Sequence, residues 1–314
     1  MKHKKLLVVG ELNIDLILNK IEGFPRIGHE IIAEEMDFTL GSSSAIMASN
    51  IATMGTLTSF CGKIGADSFG EFVLSELQKK NVDTNFISKS VTHKTGITIV
   101  MNYDQDRANV TYCGAMEDFT IHDIPWKSLD EFDHFHFSNY FLQRGIKPDI
   151  LEIFKKAKAA GLTTSLDLQV DPEDKWEFDY KEVLPYVDIF FPNLSELLNL
   201  TKKDDLEAAI SALKPEVNTV AIKMGTQGSL LISGDERIIE DPFINRNFKV
   251  AIGAGDSFNA GFIHEYLKGS SWKTCLKNGN LMGSLNTTCA GGTTAFTTAS
   301  EIALKKQQIE NKEL

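Results

Sequence analysis

The chain has 314 residues, 42% hydrophobic and 24% charged, enough for one large α/β domain with an appendage or for two domains. With 32 Lys+Arg against 43 Asp+Glu the net charge is −11, which argues against nucleic acid as the main partner, because neutralising phosphates needs basic patches. Cys61, Cys113, Cys275 and Cys289 are scattered without a CxxC pair; they read as reduced thiols of a cytoplasmic protein, not as a disulfide framework or a zinc site.

The opening MKHKKLLVVGELNIDLIL has a basic start and an apolar run, but the run breaks at Gly10-Glu11 and Asn13 and Asp15 follow, so it reads as a strand over Leu6–Val9 rather than a signal peptide. No stretch approaches about 18 uninterrupted apolar residues, so no membrane span is expected. Asn13 and Asp15 stand two apart just past the strand's carboxyl end, the edge where open α/β sheets bind ligands. They suit either contact with hydroxyls or a plain polar turn.

Residues 24–40 and Gly96–Cys113 carry strand-like alternation, the second with a hairpin turn at Asp104–Arg107. Neither fits the helix-alternating pattern around it, and the two patches are expected to pair into a small sheet over the ligand edge. Between them, 41–55 is a small-residue helix capped by serines and ended by Gly55. Leu57–Cys61 is a strand, and Asp67 caps a helix with Phe69, Phe72, Val73 and Leu77 on its buried face.

After residue 120 the alternation is regular. Strands are expected at Phe135–Phe137, Thr163–Leu168, Val187–Phe191 and Thr219–Lys223, and helices at Pro148–Ala160, 193–200, 204–213, 271–289 and from about Thr298. This predicts a doubly wound, mainly parallel sheet flanked by helices, with no internal repeat. His134 and His136 share a strand face and read as polar positions rather than a metal pair, since no third ligand is near. Residues Asp171-Pro172-Glu173-Asp174 read as a solvated loop, and 305–312 as a terminal helix.

The stretch FKVAIGAGDSFNAGFIHEYLKG (248–269) organises the chemistry. Gly253 and Gly255 flank Ala254, Asp256 follows, and apolar residues at Phe258, Phe262, Ile263, Tyr266 and Leu267 mark one buried helix face up to Gly269. A glycine turn entering a helix N-terminus leaves amide donors pointing outward, suited to an anion. Asp256 is then either a helix cap or a general base for phosphoryl transfer. The chain has no GxxxxGK[ST], so the phosphate loop of P-loop enzymes is absent, and no GxGxxG after its first strand, which counts against a nicotinamide Rossmann enzyme.

From about Leu6 to Thr298 the sequence resembles the ribokinase-like (PfkB) family of carbohydrate kinases, most specifically at GAGDSFNAGF (253–262). The resemblance implies a ribokinase-like α/β fold over 1–314, with a small β-sheet lid from about 13–40 and 94–117. It implies Asp256 as general base and Gly253, Ala254 and Gly255 as an anion hole. For the acceptor side it implies Asn13, Asp15, Gly41 and Ser42, with Arg107 from the lid. On the nucleotide side it implies Asn193, Glu196, Lys223, Gly225, Gly228 and Asn280, with Glu196 holding Mg²⁺ through water. Three positions depart from the family pattern. Val250-Ala251-Ile252 replaces Asp-Thr-Thr, whose Asp supports a monovalent-cation site, so K⁺ is doubtful as a cofactor. Ile46 replaces an acceptor-binding Asn, and Asp167-Leu168-Gln169 replaces Asp-Pro-Asn.

The expected function is therefore transfer of phosphate from ATP, with Mg²⁺, to a hydroxyl of a small sugar or sugar acid in the cytoplasm. A homodimer through the lid is left open. The alternatives are a nucleoside kinase of the same fold and a catalytically weak sugar or nucleotide sensor.

Overall fold

The apolar run Leu6–Val9 forms a strand with all four side chains buried, because apolar residues on both of its faces suit a sheet covered on both sides. The computed structural model describes residues 4–103, 106–245, 247–311 and 313. The first half of the chain runs β1 (Lys5–Gly10), β2 (Asn13–Ile21), β3 (Ala33–Leu40), α1 (Ser43–Thr53), β4 (Leu57–Gly65), α2 (Ser68–Lys79), β5 (Asp83–Ser90), β6 (Gly96–Tyr103), β7 (Asp106–Tyr112) and β8 (His134–Ser138). Then come α3 (Ile150–Ala159), β9 (Thr163–Asp167), α4 (Tyr180–Val183), β10 (Ile189–Phe190), α5 (Leu194–Thr201), α6 (Leu206–Leu213) and β11 (Thr219–Lys223). The chain closes with β12 (Ser229–Ser233), β13 (Glu236–Glu240), α7 (Ala254–Leu267), α8 (Trp272–Asn286) and α9 (Ala299–Glu310).

Among the described residues, nine strands form one sheet in the order β13-β12-β11-β10-β9-β8-β1-β4-β5. Every neighbouring pair from β11 to β5 is parallel, and only β12 runs against its neighbours. The chain leaves β1 toward β4 on one side and later fills the other side from β8 onward. That reversal opens a crevice beyond the carboxyl ends of β1 and β8. Leu7 and Val9 face a core built with α3, α5 and α6, whereas Leu6 and Val8 face one built with α1, α2 and α7.

A second sheet, in the order β3-β2-β6-β7, holds both patches that the alternation singled out, but they do not pair directly: β2, which lies outside both, stands between them. On its inner face Ile17 and Val100 pack against Ile252, with Val250 beside them, immediately before α7. Its outer face leaves Met36 and Val110 62% and 59% exposed.

Several expectations change. Strands β5, β12 and β13 are not apparent from periodicity: β5 and β13 are sheet edges with mixed exposure, so neither has a clean apolar alternation. The strand expected at Val187–Phe191 contracts to Ile189–Phe190, and of 24–40 only Ala33–Leu40 is strand. Asp104 and Gln105 lie outside the described residues, and Arg107, expected in the turn, pairs with Asn102 inside β7. Phe69 is not core; it meets Phe38 of the second sheet with ring centroids 5.9 Å apart, next to a Phe38–Phe72 contact at 4.7 Å. Asp171 is not solvated. It is buried and accepts the amides of Glu173, Lys175 and Trp176 at 3.0, 2.9 and 2.6 Å, which fold the loop around it.

Candidate active site

The carboxyl ends of the parallel strands collect the polar side chains. Glu11 follows β1, Asn139 follows β8, Asp167 ends β9, Asn193 follows β10 and Lys223 ends β11. α7 brings its N-terminus to the same edge.

Gly253 is the N-cap of α7 in a left-handed conformation, φ 79°, and a Cβ there would sit 2.7 Å from Gly292 Cα. Only glycine allows this turn to press against residue 292. Among the described residues the amides of Gly255 and Asp256 have no acceptor, whereas the amide of Ala254 is taken by Ala251 O at 3.2 Å. The anion-binding donors therefore centre on 255–256 rather than on 254. Among the described residues no backbone amide donates to the Asp256 carboxylate, so Asp256 is not a cap. Its Oδ1 accepts from Gln169 Nε2 at 3.0 Å.

Gln169 Nε2 also reaches Asp167 Oδ2 at 3.1 Å, and Lys223 Nζ pairs with that oxygen at 2.8 Å. Asn259 Nδ2 donates to it as well. Asp167 is thus a fully buried hub connecting β9, β11 and α7. Lys223 Nζ lies 3.6 Å from where a Gly255 Cβ would stand, so its ammonium borders the free amides. Burial and the nearby Asp167 push the Asp256 carboxyl up to about 7, against the pull of Lys223. Burial lowers the Lys223 pKa, but Asp167 and Glu196 outweigh it and the net shift is upward.

Asn193 and Glu196 form a reciprocal capping box at the start of α5, each side chain accepting the other's amide at 2.8 Å. Burial and Asp167 push Glu196 up to about 7. Among the described residues no cluster of His, Cys, Asp and Glu forms a cage for a metal ion. A buried carboxylate with a second carboxylate, Asp167, close by still fits a hydrated Mg²⁺ shared with phosphate oxygens.

Next to this cluster opens a cleft of about 450 Å³, lined by Lys223, Gly225, Gly228, Ala254, Gly255 and Asn280, with Phe243 and Phe248 on an apolar wall. Both amide protons of Asn280 are spent on Glu240 O and Asp241 O, so it braces the wall of the cleft.

The acceptor-side residues converge at the base of the second sheet. A Cβ on Gly41 would fall 2.3 Å from Asp15 Oδ1 and 2.5 Å from Asn13 Oδ1, so this backbone can approach only as glycine. Asn13 Nδ2 donates to Thr98 Oγ1 at 2.8 Å, and its Oδ1 is buried without a partner among the described residues. Burial raises Asp15 to about 7, against the charge of Arg107, which is exposed on β7. Ser42, at φ 71°, caps α1 through Ala45 N at 3.0 Å and donates to Glu11 O at 2.6 Å. Ile46 is buried and closes on Gly292 and Gly253, so it supplies packing where an amide side chain is absent.

Sequence reasoning did not select Glu11, Asn139, Asp167, Gln169 or Asn259. Asp167 and Gln169 were visible only as a departure from a family pattern. Glu11 and Asn139 gave no signal, since the turns that hold them meet only when β1 and β8 become neighbours. His134 and His136 are buried, bonded to Thr163 and Ser165 Oγ at 2.7 to 2.8 Å and held neutral by burial, which lowers His136 to about 4. They belong to the sheet.

Such a fold and site define a ribokinase-like phosphotransferase acting on a sugar hydroxyl. The pfkB family carbohydrate kinase profile matches residues 3–299, and the chain belongs to that family. It is 27% identical over 277 residues to the 2-dehydro-3-deoxygluconokinase of Bacillus subtilis, covering 84% of this chain and 85% of that one. It is 28% identical over 268 residues to the ribokinase of Staphylococcus aureus, covering 82% and 85%. The structure of Arabidopsis thaliana ribokinase complexed with ribose and ATP superposes with a TM-score of 0.82 at 25% identity, covering 97% and 99%.

Proposed function

We propose that this kinase transfers the γ-phosphate of ATP to a hydroxyl of a small sugar, with Asp256 as the general base. The carrying observation is the position of Asp256: buried, not used as a cap, next to Gly255 of the lining of the 450 Å³ cleft, where its own amide and that of Gly255 have no acceptor among the described residues. The nucleotide lies in that cleft with its phosphates toward Lys223 and the 255–256 amides, which stabilise charge on the moving phosphoryl group. The acceptor lies over Gly41 against Asn13 and Asp15. Asp256 takes the proton of the attacking hydroxyl as its oxygen bonds to the γ-phosphorus and the bond from that phosphorus to the bridging oxygen breaks, leaving ADP; Gln169 holds the carboxylate in place. Glu196, backed by Asn193, would hold Mg²⁺ through water, and the ion would screen the phosphate charge.

The whole chain acts as one unit, with the second sheet, about 13–40 and 94–117, as a lid that excludes water from the acceptor. The exposed apolar outer face of this sheet supports a homodimer formed lid to lid. Val250 joins an apolar cluster where a cation site would need oxygen ligands, so K⁺ is not a cofactor. Among the described residues no helix is long and apolar enough to cross a membrane, which agrees with a cytoplasmic enzyme.

The test is Asp256→Asn in a coupled ADP-release assay across pentoses, hexoses, sugar acids and nucleosides. Loss of about 10³-fold or more in kcat, with the fold intact by circular dichroism, is the expected result. Turnover within a few-fold of the unsubstituted enzyme would remove Asp256 from the role of base.

A further inference from the structure

We propose that the acceptor is an uncharged polyhydroxylated sugar, and that Glu11 together with Asp15 excludes sugar acids carrying a carboxylate. This rests on the kinase reading of the same site.

The space over Gly41 is walled by acceptor atoms. Asn13 Oδ1 is buried with no partner among the described residues, and the Asp15 carboxylate beside it is 8% exposed. Both oxygens face the missing Cβ of Gly41. Such oxygens need O–H donors; sugar hydroxyls supply them and a carboxylate has none to give.

Behind this wall stands Glu11, 1% exposed, at the crevice between β1 and β8. Ser43 Oγ donates to its carboxylate at 2.7 Å, Asn139 Nδ2 at 3.1 Å, and Ser44 Oγ also donates. These neutral donors fix the carboxylate in place, and among the described residues no cation forms an ion pair with it. Asp256, in the first turn of α7, adds a third carboxylate on which the charge of Glu11 acts.

Two cations bear on these groups. Arg107 reaches Asp15 from β7, and Lys223 lies beyond Asp256, bound to Asp167. Asp15 borders the acceptor position directly, and the charge of Glu11 bears on both Asp15 and Asp256, so the three carboxylates share one negative field. A fourth negative charge in this partly desolvated space is opposed by all three.

The experiment compares kcat/KM for each aldose and the aldonate made by oxidising its first carbon, ribose with ribonate and glucose with gluconate, at pH 8. The aldonate is expected to be poorer by about 30-fold or more. Glu11→Gln and Asp15→Asn, both of nearly unchanged shape, are each expected to narrow that ratio by about 5-fold. An aldonate used as well as its aldose, or a ratio unmoved in both variants, overturns the proposal. If no sugar of either kind is phosphorylated, the kinase reading fails instead. Calorimetric binding of the same pairs without nucleotide still ranks the two classes, and tighter aldonate binding then refutes the exclusion.

Discussion

Asp256 carries two consequences at the scale of a single residue. As a base it must be ionised, and burial holds its carboxyl near 7, so kcat/KM should fall as pH drops below about 7. The same shift acts on stability with a fixed sign. Between the unfolded value near 4 and the folded value near 7, the folded state binds more protons than the unfolded state. Stability therefore falls as pH rises through that window. Asp256→Asn removes this contribution, so its urea midpoint should exceed that of the parent protein at pH 8 and converge with it near pH 4. Lys223 makes the opposite case. Replacing it with Met leaves Asp167 buried beside Glu196 and Asp256 without its cation, which should cost about 3 kcal/mol in urea denaturation. Gly41→Ala tests the acceptor wall. A methyl group placed against Asp15 and Asn13 should raise the acceptor KM about 10-fold and leave the KM for ATP unchanged in steady-state kinetics.

At the scale of elements, the informative contact is between the second sheet and the turn before α7. Ile17 of β2 and Val100 of β6 pack on Ile252, one residue from Gly253, so the second sheet rests against the turn that leads to the 255–256 amides. Val250 extends this cluster, and its apolar side chain cannot ligate a cation. Activity in K⁺ should therefore match activity in Na⁺ within about 2-fold at equal ionic strength, measured by ADP release. The helices that position the site were legible because their ends obey local chemistry. Ser42, Asp67 and Thr298 cap α1, α2 and α9, and Gly55 and Gly269 follow α1 and α7 in left-handed conformations. Edge strands obey no such local rule. β5 and β13 pack one mixed face on neighbours far away in sequence, so their residues carry little periodicity of their own.

At the scale of the molecule, the outer face of the second sheet presents Met36, Val110 and Tyr112 to solvent, while its inner face carries Asn13, Asp15 and Thr98. The inner face is also apolar at Ile17 and Val100, so apolar side chains stand on both faces of this sheet, and the proposed dimer would cover the outer ones. Met36→Asp combined with Val110→Asp should shift the protein to a monomer in analytical ultracentrifugation; an unchanged sedimentation coefficient would assign that face to no dimer.

Sequence alone determined what local chemistry can encode: the βα alternation, the helix caps, the glycine turn into α7 and the candidate base that follows it. Asn13 and Asp15 were candidates from their place past the first strand, and Gly41 from the resemblance of 41–55 to a family signature. Tertiary structure decided the rest. Which amides remain without acceptors, that Asp256 is not a cap, that Asp167 links three elements, and that Glu11 meets Asn139 all depend on the order of strands in the sheet. That order is set by packing between residues more than 100 positions apart, as in the 128-residue separation of Glu11 and Asn139, and no window of sequence contains it.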